Sequence, residues 1–355
     1  MPNIDFVRRS FRVDGGAEVA SSIFIETLSK INEVRIVCES WEIEELPHSI
    51  GVLRIESRGL TRKQKYLNFV DRVSRLARLE GNFMHSHELI PGANVIRLGD
   101  GLHSSWMKRA NLAAGFFSDG FHKAKVDIEK AALNHRQLDS VIVNSKLVAD
   151  EVATEYKNAR ITLIRNIVRS EFILGFKPAS KIAKRLLFVG SGWSRKGLSV
   201  ILEALRYLPE FTLDVYGSDK SKDDYLRLAR RLNILNRVNF KGIVRVSPEI
   251  YRGVFALVHP AIYEPFPNVA IEALSQGVPV ISTMSSGTSD FDRENGVWTL
   301  EYPGPFEIRD AVNDIASVSV KKRMAFRDHI LQFDSAYLER ELSKLYSEIR
   351  FGNSI

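Results

Sequence analysis

The sequence predicts an α/β protein that consists of two parallel-sheet domains. The chain has 355 residues, more than one ordinary hydrophobic core accommodates, so its length favours two domains. Short apolar runs typical of buried strands alternate with helical stretches in both halves of the chain. Several of these runs end in glycine before the next loop. Together these features indicate units of strand, loop and helix.

Composition narrows the class of protein. Hydrophobic residues make up 45% of the chain and charged residues 26%, as in soluble globular proteins. The single cysteine, Cys38, excludes a disulfide framework or a cysteine metal site within one chain, which favours a reducing compartment. No apolar stretch is long enough to span a bilayer, and the first ten residues lack the apolar core of a signal peptide. We therefore expect a cytoplasmic protein.

The N-terminal half contains the weaker motifs. Residues 11–16 lead into a predicted helix over 17–28, and Gly15 and Gly16 stand at its start. Residues 34–37 form the next predicted strand. A later strand over 94–99 is followed directly by Asp100.

The positive charge of the chain is concentrated in one segment of this half. The net charge of +7 predicts an anionic partner such as a nucleic acid, a membrane surface or a sugar nucleotide. Residues 58–78 show apolar residues at helical spacing and predict a basic amphipathic helix. Core packing explains its apolar stripe, and the alternative is docking to anionic lipid headgroups or a phosphorylated glycolipid. Its basic residues are Arg58, Arg62, Lys63, Lys65, Arg72, Arg75 and Arg78, against Asp71 alone.

In the C-terminal half, residues 186–197 read LLFVGSGWSRKG, a strand that enters a glycine-containing loop. We expect Arg195 and Lys196, which follow Gly192 in that loop, to face phosphates. A guanidinium grips two phosphate oxygens and an ammonium acts as a point charge, so the pair suits a diphosphate. The alternative is a solvated surface pair. Residues 213–217 and 238–242 predict two further strands that end in glycine.

The most informative stretch is 264–277, EPFPNVAIEALSQG, which lies between predicted strands at 256–259 and 278–281. Its prolines forbid a helix before them, so the helix is predicted to begin near Asn268. A helix start is a ready phosphate site. Glu264 in the loop and Glu272 on the helix can accept hydrogen bonds from sugar hydroxyls. The alternative is an ordinary loop acid and a solvated helical acid.

Residues 259–283, HPAIYEPFPNVAIEALSQGVPVIST, resemble the donor-site signature of glycosyltransferase family 4. These are retaining enzymes of the GT-B fold, in which two Rossmann-like domains face each other across a cleft. The resemblance implies that Glu264 contacts the donor sugar and Glu272 the ribose hydroxyls. It also implies an N-terminal acceptor domain over 1–166, a donor domain over 167–332, and a helix over 333–355 that crosses back.

The chain is also similar to lipopolysaccharide core glucosyltransferases, in its GSxxxRKG pattern, its early SWE tripeptide and an acid at Asp100. The implied activity is transfer of a hexose, with glucose preferred, from a UDP-linked donor to the lipopolysaccharide core or a related surface glycan. Alternatives are capsule or exopolysaccharide assembly by the same family, or a non-catalytic basic module that binds lipid or nucleic acid. We expect a nucleotide sugar and a glycan or glycolipid as partners, and no nucleic acid.

The resemblance implies roles for further residues. Gly15 and Gly16 would approach the diphosphate or the acceptor, and backbone groups up to Val244 would read the base. Asp100 would orient the acceptor hydroxyl or stabilise positive charge at the anomeric carbon, whereas an Asp-Gly turn is the structural alternative. The implied donor-binding set is Gly15, Gly16, Gly192, Arg195, Lys196, Val244, Glu264, Phe266, Asn268, Val269 and Glu272.

We expect no metal and no cofactor. Front-face retaining transfer mainly requires stabilisation of the leaving diphosphate, which Arg195, Lys196 and the helix start near Asn268 can supply. The catalytic residues would then be Asp100, Glu264, Arg195 and Lys196. The run Asp290 to Asp292, DFD, resembles a metal motif but follows the donor signature, so we interpret it as a loop.

Overall fold

The computed structural model describes residues 4–11, 16–41, 50–79, 83–109 and 120–352. The chain divides into two compact units. The first comprises Met1–Asn166 and Ala336–Ile355, and the second comprises Ile167–Ser335. Each unit contains its own parallel sheet, so the predicted α/β class with two parallel-sheet domains is confirmed. Among the described helices, none has both the length and the apolar character to cross a bilayer.

The described strands of the first unit are β1 (Ile4–Val7), β2 (Ser10–Phe11), β3 (Val34–Cys38), β4 (Ser40–Trp41), β5 (Gly51–Arg54), β6 (Phe83–Ser86), β7 (Val95–Leu98), β8 (Ser140–Val143) and β9 (Ile161–Leu163). Seven of them form one sheet in the order β5-β3-β1-β6-β7-β8-β9, and β2 pairs with β4. Every neighbouring pair of the large sheet is parallel. The central strands β1, β7 and β8 are buried throughout, as strands covered on both faces must be.

The described helices of the first unit are α1 (Gly16–Ser29), α2 (Arg62–Leu79), α3 (His103–Arg109), α4 (Phe121–Leu133) and α5 (Lys146–Glu155). The basic segment over 58–78 is helical only from Arg62, so the predicted start was four residues early. The side chain of Gln64 accepts hydrogen bonds from the backbone N–H groups of Leu60 and Thr61, while the Thr61 hydroxyl accepts one from Gln64. This reciprocal capping fixes the start of α2.

The apolar stripe of α2 packs in the core of the first unit. Tyr66, Phe69 and Val73 are buried there, whereas Arg72 and Arg75 are exposed. The packing interpretation of this stripe is therefore confirmed.

In the second unit the strands are β10 (Arg185–Val189), β11 (Thr212–Tyr216), β12 (Val238–Gly242), β13 (Ala256–Val258), β14 (Val280–Thr283) and β15 (Val297–Leu300). They form a parallel sheet in the order β12-β11-β10-β13-β14-β15. This is the doubly wound strand order: β11 and β12 follow on one side of β10, and β13, β14 and β15 follow on its other side. The switch point lies between β10 and β13. Ligands of such sheets bind beyond the carboxyl ends of the strands at this switch point.

The helices of the second unit are α6 (Ser170–Leu174), α7 (Leu198–Leu205), α8 (Lys222–Arg231), α9 (Pro248–Tyr251), α10 (Asn268–Ser275), α11 (Pro305–Ile315) and α12 (Val320–Ile330). The last helix, α13 (Ser335–Gly352), lies in the first unit from Ala336 onward. It begins two residues after the predicted start at 333. Its buried residues include Leu338, Leu342 and Tyr346.

Backbone hydrogen bonds made by glycines connect the loops that follow β10, β11 and β12. The N–H of Gly190 donates to the carbonyl of Tyr216 (2.9 Å), and that of Gly217 donates to the carbonyl of Gly242 (2.7 Å). Gly217 has a φ of +112°, and a Cβ there would lie 2.3 Å from the carbonyl oxygen of Gly190. Only glycine fits this approach. The carboxyl ends of three strands are thus held side by side.

Candidate active site

The switch point of the second sheet is formed by the loops after β10 and β13. The loop after β10 leads to α7 through Gly197, whose φ is +78°. A Cβ on Gly197 would lie 2.4 Å from the carbonyl oxygen of Pro260, in the loop after β13. The N–H of Ile262 also donates to the carbonyl of Arg195 (2.9 Å). Because the two loops interlock in this way, residues that follow β10 lie beside residues that follow β13.

Glu264 lies at the centre of an ion-pair cluster in these loops. Its Oε2 accepts a hydrogen bond from Nη1 of Arg195 (2.8 Å) and lies 3.1 Å from Nζ of Lys196. Nη1 of Arg195 also donates to the carbonyl of Tyr263 (3.0 Å). The sequence motifs assign Glu264 to the donor sugar and Arg195 and Lys196 to the diphosphate. The structure brings all three together around one carboxylate oxygen.

The backbone of Glu264 is anchored to the segment that follows β14. Its N–H donates to the carbonyl of Ser285 (3.1 Å), and its carbonyl accepts from the N–H of Gly287 (2.9 Å). Glu264 also forms an isolated parallel bridge with Ser286. The position of this carboxylate therefore depends on backbone hydrogen bonds, while its charge is balanced by side chains.

Burial raises the pKa of Glu264, but the charges of Lys196 and Arg195 outweigh it and lower the pKa to about 2. The acid is therefore ionised at neutral pH. The cations have different access to solvent: the side chain of Arg195 is 38% exposed and that of Lys196 is 14% exposed. A ligand with negative charge can compete with Glu264 for both of them.

Sequence reasoning gave no role to His259, which the structure adds to this cluster. Its Nε2 lies 3.7 Å from Oε2 of Glu264, and the side chain is buried. Neither ring nitrogen has a hydrogen-bond partner among the described residues. Burial and the nearby charge of Lys196 lower the pKa of His259 to about 3, so the ring is neutral at pH 7. Its position directly after β13 was the one available sequence signal.

Helix α10 begins at Asn268, as the sequence predicts. Pro267 occupies the N-cap and has no side-chain oxygen that could bond to the first turn. Phe266 is buried before it, while Asn268 and Val269 are half-buried on the first turn. The α10 N-terminus follows Glu264 by four residues, so the ion-pair cluster lies close along the chain to a helix start, a position at which backbone N–H groups can bind an anion.

Glu272 lies on α10 and is 5% exposed. Its Oε1 accepts a hydrogen bond from Nη2 of Arg169 (2.9 Å), and its Oε2 accepts one from the hydroxyl of Tyr251 (3.0 Å). Burial raises the pKa of Glu272, while Arg169 and Tyr251 lower it by favouring the ionised form; the net shift is upward. Arg169 and Tyr251 were missed by sequence reasoning because neither lies near Glu272 in a recognisable motif.

The loop predicted to read the base follows β12. Gly242 ends the strand with a φ of +73°, and a Cβ there would meet open space. Ile243 is 74% exposed and Val244 is also exposed. Gly192 in the loop after β10 has a φ of +70° and likewise faces open space. These loops leave room for a ligand beside their backbone groups.

The remaining predicted residues belong to the first unit. Gly15 lies outside the described residues, and Gly16 is the first residue of α1. Asp100 is exposed in a turn directly after β7. The following Gly101 has a φ of +71°, so the Asp-Gly turn is present as the structural interpretation predicts.

Among the described residues, no group of three or more His, Cys, Asp or Glu side chains is arranged to hold a metal ion. Asp292, the second acid of the DFD run, caps a short 3-10 helix. Its carboxylate accepts hydrogen bonds from the backbone N–H of Asn295 (3.0 Å) and from the side-chain amide of Asn295 (2.7 Å). The loop interpretation of Asp292 is therefore confirmed.

Comparison with known proteins identifies the second unit. Residues 173–329 match the family model described as glycosyl transferases group 1. The lipopolysaccharide core biosynthesis glycosyltransferase LpsE of Rhizobium meliloti is 26% identical over 63% of this chain and 68% of its own length. The lipopolysaccharide glucosyltransferase WaaG of Escherichia coli is 34% identical over 30% of this chain and 29% of its own length.

Solved structures show the same fold over nearly the whole chain. The crystal structure of WaaG superposes with a TM-score of 0.72 at 18% identity and covers 93% of this chain and 94% of that one. Anabaena HepE in complex with UDP-glucose gives a TM-score of 0.72 at 19% identity and covers 98% and 100%. The fold is therefore GT-B, and the chain contains a group 1 glycosyltransferase domain.

Proposed function

We propose that this chain, a glycosyltransferase with a group 1 domain, transfers a hexose from a UDP-linked donor to the lipopolysaccharide core or a related bacterial surface glycan. Glucose is the preferred hexose, and we propose that the configuration at its anomeric carbon is retained. The names of LpsE and WaaG support a lipopolysaccharide core acceptor. The UDP-glucose complex of HepE supports the donor.

The observation that carries the proposal is the cluster of Arg195, Lys196 and Glu264 at the switch point of the second sheet. Arg195 and Lys196 both form an ion pair with the same oxygen of Glu264. The diphosphate of a nucleotide sugar carries more charge than a carboxylate and has several oxygens for a guanidinium and an ammonium. The diphosphate would therefore replace Glu264 as their partner. Glu264 would then accept hydrogen bonds from hydroxyls of the donor hexose.

The other parts of the donor follow from the neighbouring elements. The N-terminus of α10 at Asn268 would bind a phosphate through backbone N–H groups. Glu272 would accept hydrogen bonds from the ribose, and the backbone up to Val244 would contact the base. Gly192 would let the loop after β10 approach the diphosphate closely.

Catalysis in this proposal consists mainly of stabilising the leaving diphosphate. Arg195 and Lys196 oppose the negative charge that develops on it as the glycosidic bond breaks. The acceptor hydroxyl would attack from the same face, which gives retention. We propose that no metal is needed, because Arg195 and Lys196 would balance the charge of the leaving diphosphate. Asp100 and Gly16 would act on the acceptor side, with Asp100 orienting the attacking hydroxyl.

We further propose that the segment over 58–78 docks on an anionic membrane surface at the cytoplasmic face, where a glycolipid acceptor would be presented. Leu60 is 96% exposed just before α2. Arg58, Arg62 and Lys65 around it are also exposed. An exposed apolar side chain among cations suits an anionic lipid surface. Cosedimentation with vesicles of phosphatidylglycerol, but not with neutral phosphatidylcholine vesicles, tests this part. Binding equal for both lipids contradicts it.

The experiment for the donor site is a thermal-shift screen with UDP, GDP, ADP and their sugar conjugates, with and without EDTA. A ligand at a hundred times its Kd stabilises the protein by about 2.7 kcal/mol. We expect UDP and UDP-glucose to raise Tm with or without EDTA, and the increase to be reduced by about half or more in Glu272→Ala. The control is Glu203→Ala, which changes an exposed acid of α7 outside the site. No shift with any nucleotide contradicts the donor site.

A transfer assay tests the acceptor and the stereochemistry. Lipopolysaccharide with a truncated core is incubated with UDP-glucose, and the product linkage is determined by NMR. An α-glucoside from the α-linked donor supports retention, whereas a β-glucoside contradicts it. Transfer to a capsular or exopolysaccharide acceptor, without transfer to the core, would favour the alternative family activity.

A further inference from the structure

The hydrogen-bond partners of Glu272 point to a role for two residues that no sequence motif marks. An ionised carboxylate offers about four acceptor positions on its two oxygens. Arg169 uses one position on Oε1, and Tyr251 uses one on Oε2. Counting these two hydrogen bonds, one acceptor position on each oxygen has no partner among the described residues. Two hydroxyls on neighbouring carbons can fill such a pair, as the 2′ and 3′ hydroxyls of a ribose do.

Tyr251 is itself fixed in place. Its side chain is fully buried, and its ring packs edge-on against Phe172, with ring centroids 5.9 Å apart. Its hydroxyl also lies 3.4 Å from the carbonyl oxygen of Val269 on the first turn of α10. The phenol therefore has little freedom to turn away from Glu272. Removing only its hydroxyl would leave the packing of the ring unchanged.

Arg169 is held by contacts on several sides. Its guanidinium lies 4.6 Å from the ring centroid of Phe172 and forms an ion pair with Glu171. Nη2 also reaches the carbonyl oxygen of Val246 at 3.4 Å, in the loop that follows β12. A planar guanidinium can serve these partners together, which an ammonium cannot. Arg169 thus joins Glu272 to the segment after Val244.

We propose that Arg169 and Tyr251 are positioning residues that orient the Glu272 carboxylate so that its two remaining acceptor positions select the adjacent hydroxyls of a ribonucleotide. This inference rests on the proposed donor site and adds a selectivity to it. The expected ligand is a ribonucleoside diphosphate, and a 2′-deoxy analogue is discriminated against. If either partner is lost, the carboxylate can rotate, and the discrimination weakens even where the nucleotide still binds.

The test is isothermal titration calorimetry with UDP, GDP and ADP, each paired with its 2′-deoxy analogue. A hydrogen bond to a charged group corresponds to about tenfold or more in affinity, so the wild type should prefer the ribonucleotide by roughly that factor. In Arg169→Met and Tyr251→Phe the preference should fall toward onefold. Arg169→Lys, which keeps the charge, should retain part of it.

Arg185→Met is the matched control, because Arg185 forms a comparable ion pair with Asp214 (2.9 Å) at the opposite end of β10. It should keep the full ribonucleotide preference. Tyr251→Phe guards against misfolding, since it removes only one hydroxyl. A wild-type preference that survives unchanged in Arg169→Met and Tyr251→Phe, yet is lost in Glu272→Gln, overturns the inference and leaves the donor site standing. A wild type that binds without any preference also overturns it. Failure to bind every nucleotide rejects the proposed donor site itself.

Discussion

The two acids of the candidate donor site differ in what surrounds them. Glu264 shares one oxygen between Arg195 and Lys196, and these charges lower its pKa to about 2 despite burial. Glu272 is held by one guanidinium and one neutral phenol, and burial keeps its pKa above the ordinary value. Glu264 is half-buried and Glu272 is buried in the same unit, yet one has an excess of positive charge around it and the other has not.

The difference indicates which partners of the two acids a ligand could bind in place of the carboxylate. Arg195 is partly exposed and follows a loop glycine, so its guanidinium can leave Glu264 for a phosphate. Tyr251 and Arg169 are packed against Phe172 and stay with Glu272. In the proposed donor site, the Glu264 cluster would therefore provide the cations that bind the diphosphate, and the Glu272 cluster would be a fixed framework for the ribose.

The largest effect is expected from Lys196→Met, which removes one cation from the Glu264 cluster. Loss of one group that stabilises developing negative charge lowers kcat by about 10²- to 10³-fold. Steady-state transfer from UDP-glucose measures it. The control is Lys184→Met, because Lys184 is an exposed cation that pairs with Glu210 away from the site. Equal rates for wild type and Lys196→Met would remove this lysine from the mechanism.

The next effect concerns acid stability. Because folding lowers the pKa of Glu264 from its ordinary value of 4.5 to about 2, this carboxylate stabilises the folded protein at pH values above 4.5. The contribution is lost as pH falls from 4.5 to about 2. The shift corresponds to roughly 3 kcal/mol at neutral pH. Urea unfolding of wild type and Glu264→Gln should show a gap of that order at pH 7 and less than half of it at pH 3. A gap independent of pH would mean that the ion pairs do not set it.

A smaller effect separates the two acids by pH. As pH falls from 7 to 4, Glu272 becomes protonated first because its pKa is raised, whereas Glu264 stays ionised. The affinity ratio of UDP to 2′-deoxy-UDP should therefore decrease over this range, by about threefold to tenfold. Because both ligands carry the same diphosphate, the effect of phosphate titration on affinity cancels in this ratio. In Arg169→Met, where the preference for UDP over 2′-deoxy-UDP is expected to be near onefold at every pH, the ratio should change little with pH.

The smallest expected effect is that of chelation. Since Arg195 and Lys196 already face the leaving group in this account, EDTA should change the rate of transfer by less than about twofold. The rate after dialysis against EDTA is compared with the rate after addition of Mg²⁺ or Mn²⁺. A rate restored only by a divalent ion would contradict the metal-free proposal.

Local sequence signals predicted the features that depend on neighbouring residues. Prolines at 265 and 267 restrict the backbone before Asn268, and α10 begins there. The glycines that end the strands at 217 and 242 stand where backbone segments meet. The start of α2 was placed four residues early because the Thr61 and Gln64 cap was not recognised.

Contacts between distant residues escaped prediction. Arg169 meets Glu272 across 103 positions, and no spacing in the sequence connects them. Tyr251 lies on a short helix, and in the sequence it cannot be distinguished from an aromatic residue of the core. The sharing of Glu264 between Arg195 and Lys196 also depends on the interlocked loops after β10 and β13, which only the folded sheet defines.

The most direct measurement is the affinity of UDP for Glu264→Gln and Glu272→Gln by isothermal titration calorimetry. In this account Glu264 competes with the diphosphate for Arg195 and Lys196, so its neutralisation should leave UDP binding as tight as in the wild type or tighter. Glu272→Gln removes the charge and replaces one of the two acceptor oxygens with an NH2 donor, which should weaken UDP binding by about tenfold or more. Weaker binding in Glu264→Gln, or unchanged binding in Glu272→Gln, would contradict the division of roles between the two acids.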